Sequence, residues 1–188
     1  MKKLPIKILQ SDNVKLQPFS KEFISNKYLD WINDKNVTRF IDKAKDNTTL
    51  EDLNFFAESL IKSDFDYFFA IIYKKEQRHI GNVRLGAIDS NFKKSNFGIL
   101  IGDKSFHGCG IATEVMELIK HFSFNYLKLD KIHFPVVKEH TAAMNLYAKT
   151  KFTCLGEVKK TFNKNGKSWK LVEWAMSNLD YKKEKKND

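Results

Sequence analysis

Apolar positions change their spacing several times along this chain, and each change predicts a new element. Ile6, Ile8, Val14 and Leu16 alternate with polar neighbours around Ser11-Asp12-Asn13, the pattern of a short hairpin. Phe23, Tyr28, Leu29, Trp31 and Ile32 then follow helical spacing and stop at the polar turn Asn33-Asp34-Lys35-Asn36. A second helix is predicted from about Thr48. Thr48 and Glu51 have capping-box spacing, and Leu50, Leu53, Ala57, Leu60 and Ile61 make one apolar stripe. Strand texture replaces it, with short apolar runs at 67–73, 80–88 and 97–101 separated by polar turns. Ile111, Val115, Leu118, Ile119, Phe122 and Tyr126 recur at the most regular helical spacing in the chain, so one face of that helix is buried. Residues 131–137 read as a buried strand, 142–150 as a short helix, and 152–160 with 167–176 as two closing strands around an Asn165-Gly166 turn. This order predicts a layered α/β fold, α+β in type.

A chain of 188 residues is long enough to bury one core, so one domain is expected over 1–180. Lys182, Lys183, Lys185 and Lys186 make 181–188 a basic, solvated tail. The 33 Lys and Arg against 23 Asp and Glu leave a formal charge of +10, which attracts phosphate groups of several kinds. Nucleic acid is one such partner, but the cations are dispersed and no helix-turn-helix, zinc or RNP-like signature accompanies them. Two cysteines, Cys109 and Cys154, stand at no metal-ligand spacing, and no metal is expected. No apolar run has the length of a membrane span and no signal-like segment opens the chain, so a cytoplasmic location away from membranes is the expectation.

Four of the eight glycines, Gly98, Gly102, Gly108 and Gly110, cluster between a predicted strand and the most regular helix. The tract His107-Gly108-Cys109-Gly110-Ile111-Ala112 runs straight into that helix, with Thr113 as a further hydroxyl donor. Glycines ahead of a helix let backbone N–H groups point outward beside the positive end of the helix dipole, which suits a pyrophosphate. A plain tight turn has the same spacing. No Gly-Lys-Ser/Thr follows, so this is not a Walker A loop, and the dinucleotide fingerprint is also incomplete.

Three stretches in order resemble the core of a GNAT acetyltransferase, most closely the branch of ribosomal-protein and nucleotide-amino-sugar N-acetyltransferases. His107 to Ala112 fits the family loop Q/R-x-x-G-x-G/A, with His in the first place. Phe97-Gly98-Ile99-Leu100-Ile101-Gly102 resembles the strand that splays open for pantetheine. Glu139-His140-Thr141-Ala142-Ala143, then Leu146-Tyr147-Ala148-Lys149 and Phe152, resemble the family's E-N-x-A-S…L-Y-E-K-x-G-F helix. The early tract from Asp30 to Phe40 is similar to that branch's acceptor-side region. Departures are His140 for Asn, Ala143 for Ser, Lys151 for Gly, and Asn96 where a Glu often stands.

The resemblance implies a mostly antiparallel mixed sheet of about seven strands, flanked by helices, with a splayed central pair. It implies acetyl-CoA as donor, held by the backbone of Ile99, Leu100 and Ile101, by the loop from His107 through Gly108, Cys109, Gly110, Ile111 and Ala112 to Thr113, and by His140 and Lys149. A small-molecule amine would attack the thioester directly in a ternary complex, and Tyr147 would protonate the leaving thiolate. Asn96 cannot act as a base, so the base stays open among His133, Glu139, His140 and a water held by Asn96. Cys109 lies on the phosphate side of the fold and is not expected to be a nucleophile. Trp31, Arg39, Phe40 and Trp169 are expected to line the acceptor site, where aromatics and cations suit a nucleotide-linked amino sugar. A protein N-terminus is the alternative acceptor, and aminoglycosides are disfavoured by the positive charge. A nucleic-acid-binding module and a non-catalytic coenzyme A sensor are the alternatives of other classes. A homodimer is compatible with this reading.

Overall fold

The computed structural model describes residues 4–41, 47–89, 91 and 93–187. Strands β1 (Leu9–Gln10) and β2 (Val14–Pro18) form the first hairpin. Helices α1 (Asn26–Asn33), α2 (Lys35–Thr38) and α3 (Leu50–Lys62) follow. The cap of α3 sits one residue later than the spacing suggests: Thr49 Oγ1 accepts from Asp52 N at 3.1 Å while Asp52 Oδ2 accepts from Thr49 N at 2.9 Å. Either of the adjacent threonines could have started the helix, and the one with the reciprocal carboxylate does.

Next come β3 (Tyr67–Tyr73), β4 (Arg78–Asp89), β5 (Lys94–Ile101), α4 (Ile111–His121), β6 (Lys131–Val137), α5 (Thr141–Lys149), β7 (Thr153–Lys164), β8 (Lys167–Ser177) and α6 (Asn178–Asn187). The strands make one eight-stranded sheet in the order β1-β2-β3-β4-β5-β6-β8-β7. The two-residue β1 brings the count one above the expected seven. Alternation along β3 shows how both faces are filled. Tyr67, Phe69 and Ile71 enter the larger core beneath α4 and α5, whereas Phe68, Ala70 and Ile72 enter a second core beneath α1 and α3. Asn165 and Gly166 both take positive φ, 50° and 72°, as a tight two-residue hairpin requires.

Two features position the site. Every pairing is antiparallel except β5 with β6, which is parallel and holds only at Lys94↔Lys131 and Ser95↔Ile132. Beyond those pairs the two strands diverge and open a wedge-shaped gap. The basic end is not the solvated tail expected for 181–188. It is the helix α6, with Tyr181 buried against Phe124 and Glu184 bonded to the Nζ of Lys120, a fully buried lysine, at 2.7 Å. Tyr181 and Glu184 are three apart on one helical face, which anchors the segment while its lysines stay outside.

Candidate active site

The loop into α4 has the backbone an oxyanion needs. Gly108 and Gly110 take φ of 77° and 81°, a conformation that L side chains rarely adopt. A Cβ on either would meet nothing within 4 Å, so conformation rather than crowding calls for glycine, and the space above the loop is open. The N–H groups of Gly108, Gly110, Ile111 and Ala112 have no backbone acceptor among the described residues. They lie at the positive end of α4, the arrangement that binds phosphate oxygens. Thr113 is half-buried one turn in, and Cys109 is exposed on the same loop. His107 Nε2 lies 2.8 Å from the Ile101 carbonyl, so the residue that departs from the family's Q/R ties the loop to the end of β5.

The gap presents alternate residues of β5. Ile101 turns its carbonyl toward the gap, where His107 meets it, and by alternation Phe97 and Ile99 turn their backbone groups the same way. Leu100 does not: its carbonyl approaches Gly81 of β4 and its side chain enters the second core. Of the three backbone positions expected at the donor, Ile99 and Ile101 therefore face the gap. Tyr147 closes its base from the α5 side. Its ring packs 4.6 Å from Phe134 on β6 and 6.4 Å from Phe97 on β5, with Phe152 and Trp174 completing the box. Burial pushes the phenol pKa far up, so the hydroxyl keeps its proton. Lys149, two residues on at the end of α5, is exposed.

On the opposite face of the sheet, Arg39 lies over the Phe40 ring at 5.0 Å, and Phe40 lies 4.8 Å from His140 and 6.0 Å from Trp169. Three of the four expected acceptor residues are thus brought together, joined by His140, whose burial lowers its pKa. Trp31 is the exception. It is 6% exposed in the second core, and its ring lies so close to Gly102 that a Cβ there would overlap it. Its role is packing, because α1 is pressed directly onto the end of β5. Beside Arg39 and Trp169 is a cleft of about 210 Å³ that also has Lys35, Lys164 and Lys167 in its wall. Lys164 donates to the carbonyls of Thr38 and Ile41 at 2.9 and 3.1 Å, which fastens the β7–β8 hairpin to the end of α2. Among the described residues, no carboxylate lines this cleft. These lysines lay hidden in the sequence because the cations are dispersed along it.

The open question of a base narrows on the same face. Asn96 is half-buried opposite Gly86 on β4, near the bulge in that strand. Glu139 is exposed in the turn before α5. His133 on β6 has its Nδ1 2.7 Å from Glu173 Oε1 on β8. Glu173 was not singled out in the sequence; it lies 40 residues from its partner, and only the pairing of β6 with β8 joins them. Among the described residues, no group of three or more His, Cys, Asp or Glu could hold a metal ion.

Residues 13–153 match the family model described as an acetyltransferase (GNAT) domain. The chain belongs to the GNAT acetyltransferase family. The donor of that family is acetyl-CoA, and the open loop and the wedge fit it. Among its curated GNAT relatives, the probable N-acetyltransferase YjcK of Bacillus subtilis is 30% identical over 106 residues, 56% of this chain and 59% of that protein. The spermidine N(1)-acetyltransferase of Escherichia coli strain K12 is 29% identical over 106 residues, 56% of each chain. The match thus spans less than three fifths of either relative's length. The solved spermidine N-acetyltransferase of Vibrio cholerae, in complex with CoA and spermine, superposes with a TM-score of 0.81 at 20% identity, covering 90% of this chain and 98% of that one. The GNAT fold is shared across that distance.

Proposed function

We propose that this GNAT chain is an N-acetyltransferase that moves an acetyl group from acetyl-CoA to a small-molecule primary amine by direct transfer, and that the amine carries an anionic portion, as in a nucleotide-linked amino sugar. The thioester supplies an activated acyl carbonyl. Loop N–H groups from Gly108 to Ala112 bind the pyrophosphate, and backbone groups of Ile99 and Ile101 orient the pantetheine. Tyr147, held protonated in its aromatic box, gives its proton to the departing sulfur. Arg39, Phe40 and Trp169 position the acceptor beside the mouth of the gap. No helix among the described residues is long and apolar enough to cross a membrane, which is compatible with a cytoplasmic small-molecule enzyme.

The basic cleft carries the acceptor reading. Four cations with an indole among them suit a diphosphate and a stacked base. The relatives favour a second reading, a polyamine acceptor, because the Escherichia coli protein is named for spermidine. A polycation entering a cleft with four like charges is opposed by repulsion. The test has two stages. Acetyl-CoA should raise the melting temperature more than ATP does, by mass action on the folded state. Thiol release should then be faster with a uridine-diphosphate-linked amino sugar than with spermidine. Faster release with spermidine would transfer the proposal to the polyamine reading.

A further inference from the structure

We infer that the imidazole of His133, oriented by Glu173, is the base that takes the proton from the acceptor amine; this rests on the N-acetyltransferase reading above. Ser95 and Ile132 form the last pair before β5 and β6 diverge, so Asn96 and His133 are the next residues on either side of the opening. Ile132, Phe134 and Val136 point into the core beneath α4 and α5, which by alternation turns His133 to the opposite face. Val137, also on that opposite face, packs with Phe40 and Trp169, so His133 shares the acceptor side of the sheet. On β8, Val172, Trp174 and Met176 fill the same core, and Glu173 is turned out beside His133.

The pair has the chemistry Asn96 lacks. A carboxylate accepts hydrogen bonds, so the 2.7 Å contact to Glu173 puts the ring proton on Nδ1 and leaves the lone pair on Nε2. Nε2 has no partner among the described residues, and the side chain is 42% exposed, within reach of a solute. Tyr147 lies on the other face, so acid and base flank the gap from opposite sides. The acceptor arrives as an ammonium. His133 Nε2 takes one proton, and the freed nitrogen lone pair attacks the carbonyl carbon. As the C–N bond forms and the C–S bond breaks, the sulfur leaves with its electron pair and is protonated from Tyr147. The nitrogen sheds its second proton to solvent, which leaves a neutral amide.

The experiment uses the full chain, with millimolar n-propylamine as an acceptor that does not depend on the basic cleft, and reads thiol release. His133→Ala should lower kcat about 100-fold or more while leaving the acetyl-CoA melting shift intact. Added imidazole should restore turnover to His133→Ala in proportion to its concentration, which a packing defect would not permit. Glu173→Gln, which removes the fixed tautomer and keeps the shape, should lower kcat less and leave the KM for acetyl-CoA unchanged. A wild-type chain whose melting temperature ignores acetyl-CoA overturns the transferase reading and the base with it. A wild type that binds and turns over beside an equally active His133→Ala, or a His133→Ala that imidazole does not rescue, overturns the base alone.

Discussion

Tyr147 is held by Phe97, Phe134, Phe152 and Trp174, and that packing decides what its replacement should do. Phe at position 147 keeps every ring contact and removes only the hydroxyl. Tyr147→Phe should therefore fold normally, bind acetyl-CoA with an unchanged melting shift, and lose about 100-fold or more in kcat. Equal turnover would mean that the phenol is only a packing ring. His79 is a residue of another kind. Its Nε2 lies 3.0 Å from both the Gly81 carbonyl and Asn82 Oδ1, among the rings of Phe19, Phe23, Tyr28 and Trp31, and burial lowers its pKa below 6.5. The unfolded chain then binds the proton more readily than the folded one. Stability present above about pH 6.5 is lost as the pH falls through that value toward the folded pKa. Melting temperatures between pH 7.5 and 5 should fall more steeply in the wild type than in His79→Gln, and parallel slopes would refute the assignment. Tyr147 is legible through the family pattern, whereas His79 is not, because a half-buried histidine among four aromatic rings has no local sign.

At the scale of elements, Gly108 and Gly110 set the conformation of the loop proposed to hold the donor. Alanine at either must adopt positive φ, which costs roughly 1 kcal/mol or more in the folded state. The open space around both means that strain, not collision, is the cause. Gly108→Ala and Gly110→Ala should each weaken acetyl-CoA binding, read by titration calorimetry, while the KM for the acceptor barely moves. A change confined to the acceptor KM would place the loop elsewhere in the reaction. Elements of this kind were the most legible part of the chain. The runs at 67–73 and 131–137 coincide with β3 and β6: β3 is buried on both faces and is a continuous apolar segment, whereas β6 alternates, with Ile132, Phe134 and Val136 inward and His133 and Pro135 outward. The capping box slipped by one residue, since Thr48 and Thr49 offer the same hydroxyl. Trp31 departs from the acceptor place that the resemblance implies, because apolar helical spacing does not show whether a face meets a ligand or, as here, Gly102 just past the end of β5. The His133–Glu173 pair and the cleft lysines depend on which strands lie side by side, and no local pattern specifies that.

For the whole molecule, α6 works as a fastening. Lys120 is fully buried, with Glu117 and Glu184 at 2.6 and 2.7 Å and the Thr150 carbonyl at 3.1 Å. Removing residues 178–188 takes away Glu184 and the Tyr181 contact, and leaves the lysine with weaker compensation. Breaking such a buried pair costs about 3–5 kcal/mol, or on the order of 10 °C in a chain of this size. Lys120→Met in the shortened chain should recover a good part of that loss. If it recovers nothing, Tyr181 packing rather than charge holds α6 in place.

The two pairs that join β5 to β6 divide the sheet into a five-strand portion and a three-strand portion. Asn96 stands on the first portion, whereas Arg39 and Phe40, though early in the chain, pack with His140, Val137 and Trp169 of the second. A donor lying in the gap would bridge both portions by its amides, much as an inserted strand would, and so fix the spacing of the two walls that receive the amine. Kinetics should then be ordered, with acetyl-CoA first, and the amine should bind measurably tighter to the donor-loaded protein than to the free one. Linkage requires the reverse as well: the amine must slow donor release by the same free energy.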